Sequence, residues 1–420
     1  LDRIGAIDGT AEIQLPTKLF DAGAWRALGR GAVKHVTIQA RDLAIDPGRL
    51  EQFGIIATMR GRLSFDLDVI PTRAKLEVLL KGLRGSLVSD PIDVELHATA
   101  GGTVTDARVE VKVQNTSMFE GNFEIPISYD QLLAAPSQLR GMPLSGAGRL
   151  HISASRLLGV FGRREITGGE LDGSVLVAGT VGKPTAVASI IGTNIQVPPG
   201  PRGRPIKRID RLAIDLVYED NKASLVVDGM QPDGRLVVAA NADLDALDKA
   251  TMTITATQFD LLPVLVFAPG PAGGAAGRLD ADLKIRGLDF ATMDVIGTVA
   301  LRNGRIPLAP NVGTLRRASI DLSIKNRIAQ LTLDGRLGGG TVKAKGSTSL
   351  DGGSGEIALT LRKVSPIAAV EPDVDADITI KVKRQAMTWI ADIDVRNGKM
   401  VVPKKRQDPL APVGVPPDMV

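Results

Sequence analysis

Apolar and polar residues alternate one by one along most of this chain. In residues 62–69, RLSFDLDV, the side chains of Leu63, Phe65, Leu67 and Val69 fall on one side of an extended chain and the polar residues on the other. Successive side chains of a β-strand point to opposite faces, so this period of two predicts strands with one apolar and one wet face, as in antiparallel sheets. The same alternation recurs in 92–96, 108–114, 279–285, 320–324 and 374–382.

Turn signals separate many of these segments. Asp-Gly and Asn-Gly pairs adopt positive φ easily and favour two-residue hairpin turns. They occur at 8–9, 172–173, 228–229, 233–234, 303–304, 334–335, 351–352 and 397–398. A strand with its turn takes about 12 residues, which predicts roughly 35 strands and, in two walls of strands about 4.8 Å apart, an elongated body on the order of 80 Å long. Helical patterns are sparse and short, at 21–28, 130–139 and 155–161.

The chain also repeats itself. Residues 212–229 and 318–335 align without a gap at a spacing of 106, and a third, partial copy follows at 374–382 and 393–403. Repeats of this kind stack, and each copy buries its apolar face against its neighbours without enclosing a single core. We predict three segments, an N-terminal β-rich segment over 1–150, a first repeat block over 151–270, and a second block with the partial third copy over 271–420. A linker rich in Pro and Gly is expected at 261–277.

Composition narrows the chemistry. The chain has 44% hydrophobic residues, only 3% aromatic residues and no cysteine, so its apolar surface is aliphatic and neither disulfides nor thiolate metal sites are available. The net charge of +4 is small, and acids and bases alternate along the strands, which favours a solvated mixed-charge face over nucleic-acid binding. Too few aromatic rings are present to build the sugar platforms of a carbohydrate-active β-solenoid enzyme.

Candidate catalytic groups are few and scattered. His35, His97 and His151 lie in separate predicted strands. The carboxylates at 373, 375 and 377 resemble the start of a calcium loop, but Ile378 stands where such a loop needs glycine, so strand alternation explains them better. We therefore predict no enzymatic activity, no catalytic residue, no metal site and no cofactor.

Longer sequence phrases resemble the TamB group of the AsmA-like superfamily, the periplasmic bridging proteins of double-membraned bacteria. They are GRLHISAS at 148–155, LDGSVLVAGTVGKPTAVASIIGTNIQVPP at 171–199, GRLDADLKIRG at 277–287 and VALRNGRIPLAPNVGTLRRASIDLSI at 299–324. Their shared grammar is an alternating strand, a glycine, a short step ending in proline, and a strand ending in a pattern like Asn-Gly-x-Ile-Pro. The resemblance covers about 150–420, and the first 150 residues share only its texture.

This resemblance implies a fold and a function. The fold is all-β, an elongated repetitive β-sheet solenoid shaped like a taco around an aliphatic groove, with few short connector helices. The function is a non-enzymatic periplasmic bridge between the inner and outer membranes that carries phospholipid acyl chains along the groove. The resemblance also implies an inner-membrane anchor, expected outside this chain, and an outer-membrane barrel-assembly partner similar to TamA or BamA.

The residues themselves support a lipid groove. An exposed aliphatic sheet face is poorly soluble unless it curls into a trough, and each buried methylene contributes about 0.8 kcal/mol, so acyl chains suit such a trough. Two alternatives stay open. The same residues could fill a closed sandwich core, and a free sheet edge could instead help outer-membrane barrels assemble by β-augmentation. The predicted lipid-groove residues are Ile214, Leu216, Leu279, Leu283, Ile285, Ile320, Leu322, Ile324, Leu331, Leu333, Ile378, Ile380 and Val382.

Overall fold

A computed structural model shows an all-β protein in which consecutive strands pair antiparallel. It describes residues 5–21, 23–24, 33–46, 59–85, 88–134, 136–162, 166–197, 207–261, 275–287, 293–308, 312–350, 353–365, 373–385 and 388–401. These residues divide into two compact units, one of Leu1–Phe259 with Ile285–Asp289 and one of Asp260–Lys284 with Phe290–Val420. The predicted fold class, a repetitive all-β sheet with few helices, is confirmed. The division into 1–150, 151–270 and 271–420 stays a prediction.

The described residues form 22 strands. The first fourteen are β1 Ala6–Ile13, β2 Val33–Ile45, β3 Met59–Ile70, β4 Arg73–Gly85, β5 Ile92–Gly101, β6 Val104–Val113, β7 Thr116–Ile125, β8 Ser145–Ser153, β9 Gly168–Thr180, β10 Lys183–Val197, β11 Lys207–Glu219, β12 Lys222–Gln231, β13 Gly234–Asp243 and β14 Thr251–Asp260. The remaining eight are β15 Ala276–Arg286, β16 Asp294–Pro307, β17 Thr314–Lys325, β18 Ile328–Leu337, β19 Gly340–Ser349, β20 Ser354–Val364, β21 Asp373–Gln385 and β22 Thr388–Val401.

Short helical segments connect some strands. Helix α1, Tyr129–Ala134, and a 3₁₀ turn, Pro136–Gly141, lie between β7 and β8, in the region predicted at 130–139. Helix α2, Ala154–Val160, connects β8 to β9 where 155–161 was predicted. A further 3₁₀ turn, Leu247–Lys249, precedes β14. Most of the helix predicted at 21–28 and of the linker predicted at 261–277 lies outside the described residues.

The 106-residue repeat is a repeat of hairpins. β11 ends at Glu219 and β12 begins at Lys222. β17 ends at Lys325 and β18 begins at Ile328, each 106 positions later. Both hairpins turn on two consecutive residues with positive φ, at 220–221 and at 326–327, as a type I′ turn requires. Six strands separate equivalent positions, so the repeating unit is a six-stranded meander.

Most of the predicted Asp-Gly and Asn-Gly turns are wrong. Six of the eight pairs, at 8–9, 172–173, 228–229, 303–304, 334–335 and 397–398, lie inside paired strands. Only 233–234 borders a turn, and 351–352 lies outside the described residues. The strands are consequently longer and fewer than the roughly 35 expected from a 12-residue spacing.

Several even-numbered strands contain a β-bulge near their C-terminal ends. In β2, β4, β10, β16 and β20 the pairing register shifts by one residue at a position with positive φ. The positive-φ residues are Asp42, Gly82, Asn194, Asn303 and Lys363. A bulge bends its strand and increases the local twist. These bulges therefore bend the sheet near the C-terminal ends of these even-numbered strands.

The large buried side chains collect mainly at one end of the strands. We name this end, where even-numbered strands finish and odd-numbered strands begin, the core end. In the first unit its buried residues are Leu83, Val113, Ile152, Leu171, Ile195, Ile209 and Phe259, and α2 packs beside them. In the second unit Leu315, Ala318, Leu337, Val342 and Val364 form a cluster at the same end.

Candidate functional site: the apolar face of the sheet

One face of the first unit is apolar from edge to edge. Residues directly opposite each other on antiparallel strands share a face of the sheet, so the pairing register identifies which side chains lie together. One row crosses all of β1–β14 through Ile7, Ala40, Phe65, Val78, Leu96, Val109, Gly121, Gly148, Val175, Ala188, Leu216, Leu225, Ala240 and Met252. At about 4.8 Å per strand this row follows the sheet for about 60 Å. We name this side the apolar face and the other side the polar face.

The second unit has an equivalent apolar face. One row crosses seven strands through Val299, Leu322, Leu331, Gly346, Ile357, Ile380 and Ile393. A parallel row runs through Leu301, Ile320, Leu333, Ala344, Leu359, Ile378 and Val395. Neither row contains a polar or charged residue, so each is a strip of aliphatic side chains about 30 Å long.

The structure places the predicted groove residues as follows. Ile320, Leu322, Leu331, Leu333, Ile378, Ile380 and Val382 share the apolar face of the second unit, and Ile214 and Leu216 lie on that of the first. All of these are half-buried except Leu216, which is 38% exposed. Leu279, Leu283 and Ile285 are half-buried on β15. Ile324 is buried at 8% exposure and lies near the C-terminal end of β17, opposite the core end.

Half-burial in mid-strand contrasts with the core end. Side chains in the centre of a two-layer sandwich are enclosed by the opposite layer and become almost fully buried. On the apolar face that degree of burial is reached by Leu315, Leu337 and Val364 at the core end, whereas Leu322, Leu331 and Ile380 halfway along the strands keep exposed surface. The apolar face therefore has one packed margin and a middle that retains accessible aliphatic surface.

Arginines fix two of the bulges at this packed margin. Arg302 precedes the bulge residue Asn303 and donates from Nη1 to the carbonyl oxygen of Ile320, at 3.2 Å, and from Nη2 to Asp321, at 2.5 Å. Arg362 makes the equivalent contacts with the carbonyl of Ala376 and with Asp377. A guanidinium that bridges two strands across a register shift holds the bend in place, so the curvature is built into the sequence of each block.

The polar face carries paired charges. Arg235 donates to both carboxylate oxygens of Asp228, at 2.9 and 2.7 Å, and these hydrogen bonds lower the pKa of Asp228. Hydrogen bonds from Asn397 and Arg362 likewise lower the pKa of Asp377. Exposed apolar residues also lie on this face, among them Leu176, Val187 and Val217, which lie directly opposite one another and are 58%, 48% and 42% exposed.

The three histidines lie on this polar face, far apart along the sheet. His35 contacts Asp68 at 2.6 Å and His151 contacts Asp172 at 2.6 Å, while His97 lies 3.7 Å from Glu77. Each makes a single pair with a carboxylate on an adjacent strand. Among the described residues no three His, Cys, Asp or Glu side chains are arranged to hold a metal ion.

Sequence reasoning missed the role of β1–β8. Their alternation was visible, but only the pairing register shows that Phe65, Val78 and Leu96 continue the same row as Leu216. It also missed the glycines of the apolar face. A Cβ on Gly148 would collide with the ring of Phe119, so this glycine makes room for a large side chain on the next strand.

Helices in the described part of the chain are all too short or too polar to span a bilayer.

Comparison with known proteins gives no relative. No family model, no curated protein and no solved structure matches this chain. The resemblance to the TamB group accordingly stays an expectation carried by the sequence phrases alone.

Proposed function

We propose that this protein is a non-enzymatic lipid conduit that holds phospholipid acyl chains against the apolar face of its sheet. The observation that supports this most is the unbroken apolar row across fourteen strands of the first unit and seven of the second. The rows contain aliphatic side chains, alanine, glycine, phenylalanine and methionine, and no hydrogen-bonding side chain. An acyl chain can contact such a surface at any point along the row, and no side chain in the row binds it specifically.

The energetics suit transport better than storage. Covering apolar surface contributes about 25 cal/mol per Å², or about 0.8 kcal/mol for each methylene, so an acyl chain gains several kcal/mol from contact with a few strands. Each neighbouring strand presents nearly the same surface, so a chain that moves by one strand loses little. We therefore expect the protein to select weakly among acyl chains of different length, and each acyl chain to move easily along a row.

The setting of this conduit follows from the resemblance and is part of the proposal. The protein would act in the periplasm, with an anchor in the inner membrane, and would meet an outer-membrane barrel-assembly partner similar to TamA or BamA.

Site-specific photo-crosslinking tests the proposal. A photoreactive amino acid at Leu322 or Ile380 projects from the apolar face, and one at Asp321 or Lys381 projects from the polar face of the same two strands. In cells fed with labelled phospholipid, we expect lipid adducts at Leu322 and Ile380 at least tenfold above those at Asp321 and Lys381. Equal labelling at the paired positions, or labelling at neither, contradicts the conduit.

A second function, as an assembly scaffold for outer-membrane barrels, is favoured by one observation. Ile393 and Val395 of β22 are 59% and 55% exposed, and among the described strands β22 pairs only with β21. An added strand would cover these side chains and pair with the backbone edge. The same photoreactive residue placed at Ile393 would capture nascent barrel polypeptide if this function holds, and phospholipid if the conduit alone does.

A further inference from the structure

The polar face of the second unit contains three arginines side by side at the core end. Arg305 of β16 lies directly opposite Arg316 of β17, and Arg316 lies directly opposite Arg336 of β18. Directly opposite residues in an antiparallel pair have Cα atoms about 4.5–5.5 Å apart, and like charges in that position repel each other. Arg317, at a bulge with φ of 51°, follows immediately in the chain. Arg316, Arg317 and Arg336 also line one cavity.

These arginines lack counter-charges. Within the described residues, the side chains of Arg316, Arg317 and Arg336 make no hydrogen bond and no ion pair. The nearby carboxylates are engaged elsewhere, because Asp321 pairs with Arg302, Asp334 with Lys343 and Asp377 with Arg362. The cluster is therefore a local excess of positive charge on the polar face.

A cavity of about 640 Å³ adjoins the cluster. Arg316, Arg317 and Arg336 line it, with Asp373 as the one carboxylate among its described lining residues. The turn at Gly338–Gly339 borders it, and a Cβ on Gly339 would meet no atom within 4 Å, so this side of the turn is open. The volume lies within the usual range for ligand sites, about 300–1,000 Å³.

Two buried polar atoms in this region are unsatisfied, one in the arginine cluster and one in a residue that lines the cavity. Arg305 Nε and Ser365 Oγ are both inaccessible to solvent and have no hydrogen-bond partner, and Ser365 lines the cavity. A buried donor left unsatisfied costs about 1–3 kcal/mol, so native proteins seldom keep one without a ligand or a role.

We propose that this cluster binds a phosphate group carrying about two negative charges. Guanidinium forks match phosphate oxygens with paired hydrogen bonds. The three arginines that line the cavity against one aspartate leave an excess of about two positive charges, which a phosphate monoester, at about −1.5 to −2, compensates well. The site lies on the polar face, so it goes beyond the conduit proposed above and does not depend on it.

Calorimetric titration of the full chain with inorganic phosphate tests the site. We expect saturable binding at a ratio of one to one, weakened at least tenfold in the double variant Arg316→Gln, Arg336→Gln. The matched control is Arg62→Gln, Arg149→Gln, which removes two exposed polar-face arginines of the first unit and should bind within twofold of the wild type. Arg336→Lys keeps the charge without the fork and should also weaken binding. No saturable binding, or wild-type affinity in either the double variant or Arg336→Lys, overturns the proposal.

A vesicle arm separates the two sources of such a phosphate. Vesicles of phosphatidylcholine with or without phosphatidic acid are sedimented with the wild type and the double variant. Retention that requires both phosphatidic acid and the arginines assigns the site to a membrane headgroup, and binding of free phosphate without retention assigns it to a soluble phosphate ester. Either result supports the site. Lipid adducts at Leu322 should be unchanged in the double variant, so failure of this site and failure of the conduit are distinguishable.

Discussion

At the scale of single residues, each Asp-Gly pair within a strand serves both faces of the sheet. The aspartate places a charge on the polar face, and the glycine leaves space on the apolar face. In the pair at 228–229, Asp228 reaches Arg235 on the polar face while Gly229 lies on the apolar face. In the pair at 172–173, Asp172 contacts His151, and a Cβ on Gly173 would lie 3.0 Å from Ile190 Cγ1. The dipeptide that signals a turn in most sequences here places an aspartate in an ion pair on the polar face and leaves space for a neighbouring side chain on the apolar face.

The repeat provides a matched test of these glycines. Gly229 and Gly335 are equivalent by the 106-residue spacing, but a Cβ on Gly335 would lie 2.9 Å from Leu315 Cδ1, in the packed cluster, and one on Gly229 no closer than 3.8 Å to any atom. We expect Gly335→Ala to lower the free energy of unfolding by about 1–3 kcal/mol because of overpacking. Gly229→Ala should leave it unchanged or raise it by up to about 1 kcal/mol. Urea unfolding of the two variants checks this, and equal effects would refute the packing account.

The pair of His151 and Asp172 gives a pH-dependent signal. The hydrogen bond to Asp172 and the charges of Asp172 and Glu170 raise the pKa of His151. Because the folded-state pKa lies above the unfolded value of about 6.5, the stabilisation is complete below pH 6.5 and is lost as the pH rises through the folded pKa. NMR titration should show a raised pKa for His151 in the wild type and a return toward 6.5 in Asp172→Asn. An unchanged pKa in that variant would show that the pair does not exist in solution.

At the scale of elements, bulges decide where the sheet curves. The apolar face is kept across each one because its residues step by three in place of two, as from Leu80 to Leu83 and from Leu361 to Val364. The second of the two residues between them takes positive φ, and the residue after it is buried at the core end. A strand without this step would turn its last apolar side chain to the polar face.

Substitution of a bulge residue tests this role. Asn303 has a φ of 51° and is exposed, so its side chain contributes little packing. A β-branched residue tolerates positive φ poorly, so Asn303→Val should lower the free energy of unfolding of the chain by about 1–3 kcal/mol. Asn122→Val, at an exposed polar-face position of β7 without positive φ, is the control and should change it by less than about 0.5 kcal/mol. Thermal and urea unfolding measure both, and similar losses would argue against a strained bulge at 303.

The elements show which parts of the fold were predictable. The alternation in 62–69 placed β3 and its faces correctly, because period two directly reports which side chains share a side of the strand. The boundaries failed where a local signal has two meanings. Asn303-Gly304 supplies positive φ for a bulge in β16, and the chain continues through it because the paired strand β17 provides hydrogen bonds that an isolated peptide lacks.

At the scale of the whole molecule, each unit presents the same kind of apolar surface. The second and sixth strands of each block carry the bulge, at Asn194 and Gln258 in one block and at Asn303 and Lys363 in the next. The bulges and the apolar residues thus recur every six strands. No described position along the rows offers a reactive group, in keeping with a function that depends on length and surface and not on a single site.

The candidate site was predictable in part. Residues such as Leu322, Leu331 and Ile380 were identified from alternation alone, and the register brings them into one row. The arginine cluster was not, because Arg305, Arg316 and Arg336 are separated by more than ten residues along the chain and meet only through strand pairing. Ile324 was assigned to the groove from the same alternation, which does not report that this side chain near the C-terminal end of β17 is buried at 8% exposure.

Thiol reactivity measures the central claim most directly, since the chain has no cysteine of its own. Leu322→Cys places one thiol on the apolar face, and Ser323→Cys places one on the polar face of the same strand. The account expects both to react with a small maleimide in the absence of lipid. A short-chain phospholipid supplied below its micelle concentration should slow the reaction of Leu322→Cys at least tenfold and leave Ser323→Cys unchanged. A thiol at 322 that is unreactive without lipid, as in a sealed core, or equally reactive with and without it, would contradict an acyl-binding face.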